Sequence, residues 1–133
     1  MAPDPRSRPV DEVAAHTLAR ELRRSSATAS RLVGAHVSDY GEPLSTLLLG
    51  EVGRWYVRAL VGDDTDDAAD ALAAAETISD CHLAGNDSMR TIVATGFLEV
   101  MPHPHDEHRP VVGRLPRPLH SELEAMETAS PPG

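Results

Sequence analysis

The sequence predicts an all-α fold, a compact array of about five helices. Three observations lead there. Leu44, Leu47, Leu48, Val52, Trp55, Ala59 and Leu60 recur at spacings of three and four, which one helix face collects and a strand would divide between two. Met89, Ile92, Val93, Phe97, Val100 and Met101 repeat the pattern further along. Hydrophobic residues reach 41% but aromatics only 3%, so the core must come from Leu, Val, Ile, Met and Ala, a set suited to packing helix on helix.

The elements follow in chain order. Pro3, Pro5 and Pro9 mark residues 1–9 as a disordered tail, and Pro131, Pro132 and Gly133 do the same for 128–133, leaving one helical domain over 10–127. A chain of 133 residues suits one core. The first helix starts near Pro9, carries Val13, Ala14, Leu18 and Leu22 on its inner side, and ends around Arg24. Ser25 to Ser30 is small and polar and Ser38 to Pro43 carries turn signals at Asp39-Tyr40-Gly41, so the segment between the helices reads as a loop with a short turn inside. The second helix opens at Pro43 and closes at Gly62. Thr65 is the expected N-cap of the next, whose inner face carries Ala68, Leu72, Ala75 and Leu83. Gly85 ends it, and Asn86 or Asp87 caps the Met89 stripe, which Pro102 stops. Val111-Val112 reads as a short extended piece, and a final helix runs from about Leu115 to Met126, burying Leu115, Leu119, Leu123 and Met126.

A formal charge of −9 opposes binding to nucleic acid, where affinity comes from cations that displace counterions from phosphates. It favours encounter with a basic protein. The lone Cys81 excludes an intramolecular disulfide framework and fits a reducing, cytoplasmic setting. Nothing near the N-terminus resembles a secretory signal, and no apolar run reaches the ~20 residues that span a bilayer, so no membrane association is expected.

Few residues invite chemistry. The run Asp63, Asp64, Asp66, Asp67, Asp70 fails the calcium-loop template, because Ala68 and Ala75 stand at liganding places and no Gly occupies the sixth. It reads instead as a helix start matched to the macrodipole, and as the acidic face on which a basic partner would dock, with Glu42 beside it. His103, His105 and His108, with Asp106 and Glu107, are weak candidates for a metal, since a proline-punctuated loop offers no fixed enclosure; no metal or other cofactor is expected. Cys81 and His82 are neighbours in sequence but about 100° apart on a helix, so they imply no thiolate–imidazole pair. Glu51 and Glu76 lie on or beside apolar stripes and are expected to be buried and paired with Arg54, Arg58 or Arg90.

Leu47-Leu48-Leu49-Gly50-Glu51-Val52-Gly53-Arg54-Trp55-Tyr56, the Glu76 helix, Gly85-Asn86-Asp87, the segment Thr91 to Glu99 and Leu115-Pro116-Arg117-Pro118-Leu119 follow one another in an order that resembles an uncharacterised family of small bacterial helical proteins similar to immunity proteins of toxin systems. The resemblance spans about Tyr40 to Met126; Val100 and the His-rich segment depart from it. It implies an immunity-type inhibitor of a cognate toxin. Independently, the missing nucleophile–base pair, phosphate loop and metal motif favour a non-catalytic protein-binding domain. The alternatives are a small helical enzyme or metabolite-binding protein, and an accessory subunit of a partner enzyme. The oligomeric state is left open by the sequence.

Overall fold

A computed structural model of the protein describes residues 7–129. Among these residues there are six α-helices and no strand. They are α1 (Ser7–Ser25), α2 (Ala27–Tyr40), α3 (Ser45–Val61), α4 (Thr65–Ala84), α5 (Asp87–Ile92) and α6 (Arg117–Ala129). Helix α5 runs on into a π-helical turn at Val93–Phe97 and a 3-10 turn at Leu98–Val100, and a second 3-10 segment, Arg109–Arg114, precedes α6. The all-α class therefore holds, with more helices than the expected five. Of the expected tails, residues 1–6 and 130–133 lie outside the described residues, while Ser7 to Pro9 and Thr128 to Ala129 belong to helices.

The additional helix is α2, which replaces the expected loop. Ser26 caps it, its Oγ accepting the Ala29 N–H at 3.1 Å. Ala29, Val33 and His36 face inward, with Leu32 and Val37 half-buried beside them, so the inner stripe is real but built from small residues. Gly41 ends α2 at φ 79°, a left-handed conformation that suits glycine.

Helix α3 is the centre of the core. Leu48, Leu49, Val52, Trp55, Tyr56 and Ala59 are buried on it, and the Tyr56 ring meets Phe97 edge-on at 5.8 Å between centroids. The Tyr56 hydroxyl donates to the Val111 carbonyl at 2.9 Å, and burial pushes its ionisation well above the ordinary tyrosine range. Val111 and Val112 are buried in the 3-10 segment, not extended.

Glycines let α3 and the π-helical turn come together. A Cβ on Gly96 would stand 2.8 Å from Leu49 Cβ and 3.0 Å from the Thr46 carbonyl oxygen, and one on Gly53 would overlap Val100. The Gly50-Glu51-Val52-Gly53 and Ala94-Thr95-Gly96-Phe97 segments are thus a helix crossing, in which bare backbone replaces side chain at the contact.

The inner face of α1 is the expected one at Ala14, Leu18 and Leu22 and departs only at Val13, while that of α4 is rotated from its expected place. On α1, Ala14, Ala15, Leu18, Ala19 and Leu22 are buried while Val13 is 64% exposed. On α4, Ala71, Ala74, Ala75, Ile78, Ser79 and His82 face inward while Leu83 is 61% exposed. Helix α6 begins at Arg117 and buries Leu119 and Leu123, with Leu115 buried just before it and Met126 half-buried.

Candidate functional site

The connection between α3 and α4 gathers the acidic run, and its five aspartates have three different duties. Asp64, not Thr65, is the N-cap of α4: its Oδ1 accepts the N–H groups of Asp66 at 2.9 Å and Asp67 at 3.1 Å. Asp67 turns inward and accepts the Trp55 indole N–H at 3.0 Å, tying the start of α4 to α3. Asp70 accepts the Thr28 hydroxyl at 2.8 Å, tying α4 to α2. Asp63 and Asp66 are left exposed on the outer side, with the cap residue Asp64 also exposed. Among the described residues none of the five makes an ion pair. The corner presents the exposed carboxylates of Asp63, Asp64 and Asp66 around a capped helix start, while Arg31 donates to the Thr28 hydroxyl beside Asp70.

Glu42 does not belong to that patch. It precedes α3 and Asp63 follows it, so the 17-residue helix, about 25 Å long at 1.5 Å per residue, separates them.

Glu51 finds a partner that sequence reasoning did not consider. His36, with a fully buried side chain, donates from Nδ1 to Glu51 Oε2 at 2.9 Å, with Oε1 at 3.2 Å, and its Nε2 accepts the Leu44 N–H at 3.0 Å. Both imidazole nitrogens are thereby occupied, and the ring has no free atom with which to take a proton from a substrate. None of the expected arginine partners pairs with Glu51; Arg54 and Arg58 border with it an open cleft of about 300 Å³ floored by Leu32 and Ala35. Glu76 is exposed on α4, against the expectation of burial, because its helix turns Ala75 and Ile78 inward.

The histidines of the 103–108 loop are spread along it. His103 and His105 are exposed, and His108 is half-buried with Nε2 3.5 Å from Glu107. No group of three His, Cys, Asp or Glu residues among the described residues is arranged to hold a metal. Arg109 organises this loop instead. Its guanidinium donates to both Glu127 oxygens, at 2.6 and 2.9 Å, and to the Pro102 carbonyl at 2.9 Å, joining both ends of the loop to α6. That fork holds the Glu127 carboxyl below the ordinary carboxylate range and raises the already high value of Arg109.

Cys81 is half-buried, and burial, with Glu21 and Asp80 nearby, pushes its thiol up, away from the reactive thiolate. His82 lies on the inner face of α4, 8% exposed, with Nδ1 buried and unpartnered. A cleft of about 480 Å³ between α1 and the α4–α5 junction is lined by Val13, Ala14, Thr17, Ala84, Gly85, Asn86 and Met89, with no titratable side chain among the described residues that line it. No helix among the described residues is long and apolar enough to cross a membrane.

Comparison of the chain with protein-family models, with curated proteins and with solved structures found no match.

Proposed function

We propose that the protein is a non-catalytic protein-binding domain that engages a basic partner through the α3–α4 corner, in the manner of an immunity-type inhibitor that captures a cationic toxin. The observation that carries this reading is the exposed charge of Asp63, Asp64 and Asp66, none of them in an ion pair, on a capped helix start in a chain of net charge −9. Such a patch concentrates negative potential where a cationic surface can dock, and this raises association rates more than it slows dissociation. The saturated His36–Glu51 pair supports a binding role over catalysis at that place.

The test uses the purified chain as bait and compares it with a variant carrying Asp63→Asn, Asp64→Asn and Asp66→Asn. Asn also caps helices, so α4 is retained. A basic protein captured by the native chain should associate several-fold more slowly with the variant, and the difference should shrink as salt shortens the Debye length below ~8 Å. Equal rates and equal salt dependence would remove the acidic corner from the interface.

A second reading, an accessory subunit packed on a partner enzyme, is favoured by the apolar cleft at Val13, Ala14 and Met89, where Val13 stands 64% exposed. It places the interface at the opposite end of α4 from the acidic corner. A partner whose binding survives the three Asn substitutions but fails with Val13→Glu would support it.

A further inference from the structure

We propose that His36 is a proton-sensitive latch on the α2–α3 connection: protonating its imidazole releases the Gly41–Leu44 segment and the first turn of α3.

The argument begins with the tautomer. Nε2 accepts the Leu44 N–H at 3.0 Å, so it carries no hydrogen, and the ring's single proton sits on Nδ1, where it is donated to Glu51. An imidazolium has an N–H at both nitrogens. It can keep the Glu51 bond, which then gains a full opposite charge, but its Nε2–H faces the Leu44 N–H, donor against donor. Flipping the ring exchanges two N–H groups and relieves nothing. Because the side chain is fully buried, no water reaches Nε2 unless the segment in front of it moves.

The segment in front is held at its two ends by the Gly41 N–H bond to the Val37 carbonyl at 2.7 Å and by the Leu44 N–H bond to His36. Leu44 occupies the N-cap position of α3 without a side-chain cap, so its own N–H bond to His36 is the anchor of that turn. Gly41 before it is in the left-handed conformation, and Gly41 and Glu42 are exposed. Leu48, one turn into α3, is buried in the core and provides a natural limit to the opening.

Charged groups face the ring from every element packed around it. From α3, Glu51 is the ring's bonded carboxylate, and Arg54 and Arg58 border the same cleft. On α2 itself, Asp39 lines that cleft and the Tyr40 ring lies 4.8 Å from the imidazole. From α1, His16, Arg20 and Arg23 face Val37, Gly41 and Glu42 across an adjoining groove. The contact with α4 carries Asp70, bonded to Thr28 two turns before His36.

The experiment is carried out on the full chain by NMR, following the imidazole nitrogens of His36 and amide-exchange protection from about pH 8 to about pH 5, the span in which histidines ordinarily change charge. At the upper end the ring should report the Nδ1–H tautomer with Leu44 protected. As the ring protonates, Leu44 protection, corrected for intrinsic exchange, should fall about tenfold, the loss expected for one amide hydrogen bond, while Val52 and Ile78 stay protected. His36→Gln retains an acceptor for Leu44 and a donor for Glu51 without a titrating group, and should abolish the step. Should that variant not fold, Glu51→Gln removes the charge that favours protonation and should move the step to lower pH. Constant Leu44 protection while His36 titrates, or a ring that stays neutral until the whole chain unfolds, would overturn the proposal.

Discussion

The indole N–H of Trp55 donates to Asp67 Oδ1 at 3.0 Å, so the side chain at the centre of α3 is joined to the first turn of α4 across the acidic corner. Trp55 is 5% exposed, and its N–H would lack a partner if Asp67 were lost. Asp67→Ala should therefore destabilise the fold by about 1–2 kcal/mol, whereas Asp63→Asn and Asp66→Asn should stay within about 0.5 kcal/mol of the native chain. Urea unfolding of the three variants separates them. If all three behave alike, the indole bond contributes nothing to stability.

The glycine crossing predicts opposite outcomes for one substitution at two sites. Gly96→Ala drives a methyl to within 2.8 Å of Leu49 Cβ and 3.0 Å of a backbone oxygen, and rigid backbone cannot yield cheaply. A loss of roughly 1–3 kcal/mol is expected. Gly34, inside α2, has nothing within 4 Å of its added Cβ, so Gly34→Ala should stabilise by roughly 0.5–1 kcal/mol through helix propensity alone. Thermal unfolding that moved both variants in the same direction would contradict the packing described for Gly96.

His82 presents an unsatisfied nitrogen to the interior of α4's packing face. Leaving a buried polar atom unpaired costs about 1–3 kcal/mol, and an apolar side chain of similar size avoids that loss. His82→Met should raise stability by about 1 kcal/mol in denaturant unfolding, and a decrease would count against an unpaired nitrogen as a cost to the fold.

How much of this was legible in the sequence depended on side-chain size. Leu48, Val52, Trp55 and Ala59 announce α3 because large residues at helical spacing leave no other face to bury. In α4, alanine fills so many positions that no stripe stands out, and the buried face through Ala71, Ala75, Ile78 and His82 follows helical spacing just as one through Ala68, Leu72, Ala75 and Leu83 does. Helix α2 has a regular stripe at Ala29, Val33 and His36, but its serines, threonine and glycine read as loop. The Glu51 position signalled a need for a partner, yet no local rule connects it to a histidine 15 residues earlier. The acidic run was visible as charge. Which aspartates turn inward depended on where Trp55 and Thr28 came to rest.

The fork between Arg109 and Glu127 should give the fold a defined sensitivity to acid. The hydrogen bonds and charge of Arg109 hold the Glu127 carboxyl below its ordinary value of 4.5 in the folded chain. A carboxylate depressed by folding adds stability that is fully present above its unfolded value and is lost as pH falls through the folded one. Arg109, raised further by the same contact, stays charged at every pH in question and contributes no second transition. Both side chains are about a quarter exposed, at 24% and 29%, so water screens the pair and roughly 0.5–1.5 kcal/mol is the reasonable scale. Glu127→Gln should lower stability by that amount at neutral pH, and the gap from the native chain should close as pH drops below about 4.5. Urea titrations of both proteins at several pH values measure the gap directly. A gap that persists unchanged in acid would mean that Glu127 acts through packing against the His-rich loop, not through its charge.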